Sequence, residues 1–254
     1  MYFSPEYIAA RNAALIKDTA GWAGHDELDP RGPSGHAYGI RVSARLTSDY
    51  RSTHRTSAVD ITPQDVIDCL VRAGIKSWVL MGLHGYVGYL PTPRATQDVA
   101  VMVSHNEKTK ATNAIAERWP MLEKVELAQV VRFLDRGDKD PQGRARPVVD
   151  LMFPASRFQQ IILEQHVIID PETKNRIPTV EAAIVAKYAA LISPYRDWDK
   201  KQQDAVDLRR LIKTNQPDID RQKLCALSNE VWEQGGQEIL IFFDLALQDQ
   251  PFPI

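Results

Sequence analysis

Apolar and polar positions alternate with helical spacing in residues 62–74. Thr62 is a favoured N-cap residue, Pro63 suits the first helical position, and Asp65 places an acid in the first turn. Gly74 is a residue type that ends helices. The pattern therefore predicts a helix between these signals, with an apolar stripe made of Val66, Ile67, Leu70 and Val71.

Short apolar runs in the middle of the chain predict strands. These runs are rich in β-branched residues and are too short for helices. A Gly-rich turn, residues 82–88, follows the first run, and a polar hairpin tip, residues 135–144, joins the last two. A helix from about residue 107 to residue 119 separates the second run from the third. The four predicted strands cover residues 77–81, 98–103, 130–134 and 147–153.

The last third of the chain has helical spacing. One helix is predicted over residues 180–192, and two more over residues 197–213 and near residues 221–232. The tail, residues 237–254, is dense in apolar side chains and should pack on the domain or on another subunit. Mixed strands and helices followed by helices alone predict an α+β fold, a small mixed β-sheet flanked by helices with a helical C-terminal part.

The first 60 residues are the least regular part of the sequence. A helix is predicted over residues 5–17, and a Gly/Pro-rich connection follows at residues 29–35. The next stretch is rich in arginine. Clustered arginines can track phosphates, but a solvated surface segment is the simpler interpretation. The arginines are Arg41, Arg45, Arg51 and Arg55.

Three regions are expected from these patterns. Residues 1–60 would form an N-terminal extension, residues 61–175 a core domain, and residues 176–254 a helical C-terminal region. A chain of 254 residues is long enough to bury a sizeable core.

The composition is that of an ordinary globular protein. Apolar residues make up 44% and charged residues 25%, and a net charge of −2 argues against a wholly basic nucleic-acid coat. Cys69 and Cys225 lie far apart and are expected to be reduced thiols. There is no signal-peptide pattern, and no apolar run approaches about 20 residues. We therefore expect a cytoplasmic protein without a membrane partner.

The residues that enter the second predicted strand carry the first candidate chemistry. They read Arg94-Ala95-Thr96-Gln97-Asp98-Val99-Ala100. Side chains on a strand alternate between faces, so positions 98 and 100 point the same way. Asp98 therefore begins a face on which a carboxylate at position 100 could share a metal ion. The residue at that position is Ala100.

Asp150 interrupts the fourth predicted strand, which is otherwise apolar. A carboxylate is costly to bury without a partner. It therefore needs either a cation such as Mg²⁺, which prefers oxygen ligands, or a salt bridge to Arg94 or Arg132.

Lys187 interrupts the apolar stripe of a predicted helix. It follows Ile184 by three residues and precedes Leu191 by four. A lysine that faces inward needs an anionic partner, either a phosphate or a carboxylate. The alternative is that its long stem carries the charge out to solvent.

Asp204 lies on the core-facing side of the next predicted helix, four residues before Leu208. It could orient a group or act as a general base near Lys187. It could equally form an ion pair with Lys187 or Arg196. Asp207 is expected nearer the flank of the helix.

Two histidines, His84 and His105, invite metal or acid–base interpretations. Neither has a partner at metal-ligand spacing, so a structural role is the simpler interpretation.

Residues 79–103 resemble the signature of the nucleotidyltransferase fold, most closely that of abortive-infection (AbiE-type) toxins. Those proteins have a strand, a Gly-Gly or Gly-Ser turn, an Arg-x-Thr-x-Asp-x-Asp run and a third Asp on a later strand. Here the matching residues are Gly82, Arg94, Thr96, Asp98 and Asp150, and a basic residue followed by Asp-x-x-Asp-Leu closes the pattern. The resemblance covers residues 62–213. Leu83 replaces the second small residue of the turn, and Ala100 replaces the middle carboxylate.

The resemblance implies roles for these residues. Asp98 and Asp150 would bind Mg²⁺, Lys187 would contact the phosphates of the nucleotide, and Asp204 would complete the catalytic set. The residues expected to shape the nucleotide site are Gly82, Leu83, Arg94, Thr96 and Lys187.

Two functions follow from the resemblance. The first is transfer of a nucleotidyl group from an NTP to a hydroxyl of an RNA, such as tRNA, or of a protein, with an antitoxin-like protein as a partner. The second is a catalytically degenerate nucleotide- or RNA-binding protein of the same fold, which Leu83 and Ala100 favour.

Overall fold

A five-stranded mixed sheet lies at the centre of the protein in the computed structural model, which describes residues 35–55 and 58–253. The strand order is β1-β2-β5-β4-β3. The β2–β5 pair is parallel and the other three pairs are antiparallel. The strands are β1 (Trp78–Met81), β2 (Val99–Val103), β3 (Glu123–Glu126), β4 (Val130–Lys139) and β5 (Ala145–Met152), and a separate two-stranded sheet pairs β6 (Val167–Ile169) with β7 (Arg176–Pro178).

Helices flank this sheet and make up the C-terminal part. They are α1 (His36–His54), α2 (Pro63–Arg72), α3 (Gly82–Tyr86), α4 (Lys108–Arg118), α5 (Arg157–Gln165), α6 (Val180–Ile192), α7 (Trp198–Asn215), α8 (Arg221–Asn229) and α9 (Gly235–Leu247). None of the helices in the described residues is long and apolar enough to cross a membrane. The α+β fold predicted from the sequence is confirmed, with a small mixed sheet, flanking helices and a helical C-terminal part.

The helix α2 begins as its local sequence predicts. The Thr62 side chain accepts from the backbone N–H of Asp65, and the Asp65 carboxylate accepts from the backbone N–H of Thr62. This reciprocal capping box satisfies two backbone donors that a helix start leaves open. The predicted apolar stripe is wrong at one position, Val71, because this residue is 56% exposed.

The hairpin between β4 and β5 is longer than predicted. Residues 135–139, expected in a polar tip, continue β4, and the turn is confined to residues 140–144. The acidic side chains of this segment have partners from elsewhere. Asp138 lies 3.3 Å from both Arg55 and Arg146, and Asp135 accepts from the backbone N–H of Val59 at 2.6 Å. Because these charges are compensated, the strand can continue through them.

The arginine-rich stretch at residues 41–55 forms most of α1 and is not wholly a solvated segment. Ala37 and Ile40 are buried on one face of this helix. Arg51 is buried too, and its guanidinium donates to the backbone carbonyl of Gln97 at 2.6 Å. The predicted helix at residues 5–17 lies outside the described residues.

The apolar tail packs on the same molecule. It forms α9, whose Ile239, Phe242, Phe243 and Ala246 side chains are buried in the hydrophobic core. The tail was expected to pack either on its own domain or on another subunit, and these four side chains pack on their own domain.

Two glycines in the turn after β1 allow backbone segments to pack closely. A Cβ at Gly88 would lie 2.5 Å from His36 Cα, and a Cβ at Gly85 would lie 2.5 Å from the carbonyl oxygen of Leu80. Both contacts are with backbone, which cannot move aside as a flexible side chain would. The Gly88 contact seats the first turn of α1 on this segment.

Gly88→Ala is expected to destabilise the protein by about 3 kcal/mol, at the upper end of the cost of overpacking. Gly143→Ala is the matched control: its φ is +78° but nothing lies within 4 Å of the new Cβ, so only the left-handed backbone cost of about 1–2 kcal/mol applies. Urea denaturation of both variants measures the difference. Equal stability of the two variants would show that α1 does not pack on Gly88 in this way.

Candidate functional site

One row of cross-strand neighbours runs over the middle of the sheet. Met81 of β1 pairs with Ala100 of β2, Ala100 with Asp150 of β5, and Asp150 with Arg132 of β4. All four residues line a cleft of about 560 Å³ between the sheet and the C-terminal helices. The position that resembles the middle carboxylate of a nucleotidyltransferase thus lies on the cleft floor, but it carries a methyl group.

The opposite wall of the cleft is mostly apolar. Helix α6 contributes a face of small side chains, Ala183, Ala186, Ala189 and Ala190, and Phe158 of α5 and Val231 add to the apolar lining. Met152 of β5 and Val130 of β4 are cross-strand neighbours and extend the apolar lining on the side of the sheet. The charged side chains of the lining form two ion-pair groups, Arg132 with Asp150 on the sheet and Lys187 and Arg196 with Asp204 at the helices.

Arg132 and Asp150 form a bidentate ion pair on the cleft floor. Nε of Arg132 donates to Oδ1 of Asp150 at 2.8 Å, and Nη2 donates to Oδ2 at 2.9 Å. This hydrogen bonding raises the pKa of the Arg132 guanidinium. The sequence left three partners open for Asp150, namely Mg²⁺, Arg94 and Arg132, and the structure pairs it with Arg132. Both carboxylate oxygens are therefore engaged by a permanent cation.

The carboxylates predicted to bind Mg²⁺, Asp98 and Asp150, do not form a site that fits this ion. Asp150 has its oxygens on Arg132, and Ala100 supplies no ligand. Burial raises the pKa of Asp98, and the neighbouring charge of Asp150 adds to that effect. Among the described residues, no group of three His, Cys, Asp or Glu side chains could hold a metal ion. The donor set is too small and too well paired for a divalent cation that prefers several oxygen ligands.

Lys187 is held between two carboxylates of α7. Its Nζ donates to Oδ1 of Asp204 at 2.7 Å and to Oδ2 of Asp207 at 2.9 Å. It also lies 4.8 Å from the centre of the Tyr86 ring. Of the alternatives raised for Lys187, the anionic partner is therefore a pair of carboxylates. A phosphate would have to compete with both of them.

Asp207 is a fully buried member of this ion-pair network, so the expectation that it lies near the flank of its helix is wrong. It accepts from the Tyr86 hydroxyl at 2.7 Å and from Nη2 of Arg94 at 2.9 Å, in addition to Lys187. Burial alone would raise the pKa of Asp207, but Lys187, Tyr86 and Arg94 outweigh it and lower that pKa. The carboxylate is kept ionised by its partners.

Asp204 joins the same network from the core-facing side of α7, as the spacing predicted. It binds Lys187 through one oxygen and Nε of Arg196 through the other, at 2.9 Å. Both ion pairs considered from the sequence are present. Burial works to lower the pKa of Lys187, but Tyr86, Asp207 and Asp204 outweigh it and raise that pKa. The network ties α6, α7 and the segment before β2 together.

Gly82 and Tyr86 are the residues of the predicted Gly-rich turn that line the cleft, and of the two only Gly82 was predicted to shape the nucleotide site. Gly82 opens α3 with a φ of +56°, and a Cβ there would lie 3.3 Å from Cβ of Ala100. Leu83, predicted to belong to the nucleotide site, is buried in the hydrophobic core instead. The helical turn of α3 directs its side chain inward.

Three other predicted site residues lie outside the cleft lining. Arg94 binds Asp207, and the backbone N–H of Thr96 donates to Oγ1 of Thr47 at 3.1 Å. Thr96 and Asp98 border a separate cavity of about 10 Å³, together with His84. That volume is on the order of one water molecule.

Sequence reasoning missed the residues that shape the apolar wall. Phe158, Ile161 and Ile162 follow a helical spacing that could have predicted α5. Ala190 carried no signal of its own, because an alanine on a helix is equally common in a core, on a surface or on a cleft wall. Tyr86 was not predicted as a site residue, because it lies within a Gly-rich turn.

Comparisons with known proteins give the fold a context. No protein-family model matches the chain, and no curated protein sequence matches it. The structure is similar to a crystal structure of an antigenic nucleotidyltransferase-like protein from Paracoccidioides brasiliensis, with 15% identity and a TM-score of 0.41, over 86% of this chain and 96% of that one. It is also similar to terminal uridylyl transferase 4 from Trypanosoma brucei with bound GTP, with 14% identity and a TM-score of 0.30, over 84% of this chain and 74% of that one. These likenesses are too distant to assign residues, so the function is argued from the cleft itself.

Proposed function

We propose that the cleft binds a nucleotide and that the protein does not carry out metal-dependent nucleotidyl transfer. The observation that carries this proposal is the row Ala100–Asp150–Arg132. Where the resembling enzymes place carboxylates for Mg²⁺, this chain has a methyl group and a carboxylate neutralised by a guanidinium. The charge that a metal would supply is supplied by Arg132.

The two parts of the cleft suit the two parts of a nucleotide. The alanine face of α6, with Phe158 beside it in the lining, offers an apolar surface for a base. The guanidinium groups of Arg132 and Arg196 line the same cleft and suit an anionic phosphate, which arginine binds well. A cleft of about 560 Å³ is within the usual range for small-molecule sites.

Blocking the apolar wall should abolish nucleotide binding. Ala190 lines the cleft on α6, so Ala190→Phe fills the space proposed for the base. Ala226→Phe is the matched control, because Ala226 is an exposed alanine on the neighbouring helix α8. Calorimetry should show at least a tenfold loss of affinity in the first variant and none in the second. Equal losses, or none in either, would place the nucleotide elsewhere.

The alternative is the transferase that the resemblance implies, with an RNA or protein hydroxyl as acceptor and an antitoxin-like partner. It requires Mg²⁺ and predicts that Asp98→Ala abolishes activity. Incubating the protein with Mg²⁺, four labelled NTPs and either tRNA or cell lysate separates the two functions. Our proposal predicts no incorporation of label above the Asp98→Ala background. Label that enters tRNA or a protein and is lost in that variant would establish the transferase.

Restoring the missing carboxylate should create a metal site. In the double variant Ala100→Asp, Arg132→Gln, the new carboxylate lies beside an unpaired Asp150 in the cross-strand row, two residues after Asp98. The expected result is Mn²⁺ binding in the double variant and none in wild type or in Ala100→Asp alone, measured by electron paramagnetic resonance titration. Mn²⁺ binding by Ala100→Asp alone would show that Arg132 does not block the site.

A further inference from the structure

We infer that the cleft is matched to a nucleotide carrying a single phosphate, held by Arg132, Arg196 and Lys200 instead of by Lys187. This inference rests on the proposed function and names its ligand class, a nucleoside monophosphate. It departs from the triphosphate substrate and the helical lysine that the resemblance implies.

The balance of charge limits how much negative charge the cleft can accept. Five cationic side chains belong to the cleft, its ion-pair network and the start of α7, and four carboxylates face them. The cations are Arg94, Arg132, Lys187, Arg196 and Lys200, and the carboxylates are Asp98, Asp150, Asp204 and Asp207. Five positive and four negative charges leave the set close to neutral before a ligand enters. A triphosphate would bring several uncompensated negative charges, which Mg²⁺ neutralises in the resembling enzymes but which the residues here do not fit.

Arg132 and Arg196 each keep a donor free for one anionic group. Arg132 uses Nε and Nη2 on Asp150, and Arg196 uses the same two nitrogens on Asp204. Within the described residues, neither Nη1 has a hydrogen-bond partner, and both side chains are partly exposed. Two such N–H groups lining one cleft can share a phosphate while both existing ion pairs stay in place.

Lys187 has no comparable freedom. Its ammonium group has three N–H donors, and it is already directed at two carboxylates and the face of the Tyr86 ring. Engaging a phosphate would mean breaking one of these contacts in a buried site and leaving an aspartate uncompensated. Lys187, which matches the family's phosphate-contacting lysine, therefore stabilises the contact between α6 and α7.

Lys200 supplies a third cation at the start of α7. It lies in the first turn of that helix, four residues after Arg196, whose side chain lines the cleft. Its side chain is 62% exposed and has one distant partner, Asp197 at 3.6 Å. Because this ammonium is exposed and weakly paired, it can turn toward a phosphate bound by Arg196.

The experiment titrates wild-type protein with adenosine, guanosine, cytidine and uridine, each as the nucleoside, the 5′-monophosphate and the 5′-triphosphate, in EDTA and then in Mg²⁺. For the base that binds best, the monophosphate should bind at least tenfold more tightly than the nucleoside and at least as tightly as the triphosphate, with or without Mg²⁺. Equal binding of nucleoside and monophosphate, or a triphosphate bound more than tenfold more tightly with Mg²⁺, would overturn this inference and leave the proposed function standing. No binding of any of these ligands would overturn the proposed function itself.

Lys200→Met tests the third cation against a matched lysine. Lys223 of α8 is 63% exposed and pairs with Asp220 at 3.4 Å, three residues away, just as Lys200 pairs with Asp197. Lys200→Met should weaken monophosphate binding three- to tenfold and leave nucleoside binding unchanged, while Lys223→Met should change neither. Monophosphate affinity that is equal in the two variants would remove Lys200 from the site. Thermal melting of both variants checks that each is folded.

Discussion

Lys187→Met is expected to destabilise the protein by about 3–5 kcal/mol, the cost of removing one partner from a buried ion pair. The Lys187 side chain is 13% exposed, and its ammonium separates Asp204 from Asp207. Without it, two buried carboxylates face each other with less positive charge between them. Methionine keeps most of the volume of the side chain, so the loss reports on charge and not on a cavity. Urea denaturation at neutral pH gives the free energy of unfolding.

Lys213→Met is the matched control for that measurement. Lys213 also belongs to α7 and binds a carboxylate at similar distance, Asp249 at 2.8 Å, but its side chain is 44% exposed. Exposed pairs contribute only about 0–1 kcal/mol. If Lys187→Met were as stable as Lys213→Met and had lost nucleotide binding, Lys187 would be a phosphate ligand and our account of it would be wrong.

The stability of the protein is expected to fall as the pH drops from about 6.5 to about 4 because of two buried histidines. Burial, and to a smaller extent the charges of His36, Arg51 and Arg94, lower the pKa of His84 to about 3. Burial lowers the pKa of His36 to about 4, opposed in part by Asp170. Both ring nitrogens of His84 lack a hydrogen-bond partner within the described part of the chain.

The direction of this effect follows from which state binds the proton. An unfolded histidine takes up a proton below about pH 6.5, whereas the folded protein keeps these rings neutral until about pH 4. The stabilisation is therefore complete above pH 6.5 and is lost as the pH falls. Each histidine contributes on the order of 3 kcal/mol over this window. The stabilisation that Asp207 provides through its lowered pKa is lost only as the pH falls below its ordinary value of 3.8, which is outside the window.

Comparing His84→Met with wild type isolates the histidine. Asp98, whose pKa is raised, opposes the slope, but it does so in both proteins. The variant should keep about 3 kcal/mol more of its stability than wild type between pH 6.5 and pH 4 in urea denaturation. A wild-type slope in His84→Met would mean that this ring is not held neutral in the folded protein.

Elements with local start and stop signals could be predicted from the sequence. The capping residues Thr62 and Asp65 set the start of α2, and Thr179 sets that of α6, whose predicted bounds agree with the structure. Elements that depend on distant partners could not. Residues 135–139 are polar and resemble a loop, but Arg55 and Arg146 compensate their charges and allow a strand.

The cleft was predictable in its parts but not in its pairings. Spacing placed Lys187 and Asp204 on inward faces, and alternation placed Asp98 and Ala100 on one face of β2. The pairing of these charged side chains depends on strand register and helix packing. The local sequence around each residue does not determine either of them. Arg132 lies 18 residues from Asp150 along the chain, and only their cross-strand register makes them partners. That pairing changes the interpretation of Asp150 from a metal ligand to half of an ion pair.

The central claim is that the cleft binds a nucleotide through its own arginines and without a metal. Isothermal titration calorimetry of wild-type protein with the four nucleoside monophosphates, in EDTA and in Mg²⁺, tests it most directly. We predict binding of at least one of them with an affinity that is the same in both buffers. Binding that requires Mg²⁺ would contradict the claim, because it would show that Asp150 on the cleft floor and the neighbouring Asp98 hold a metal ion after all.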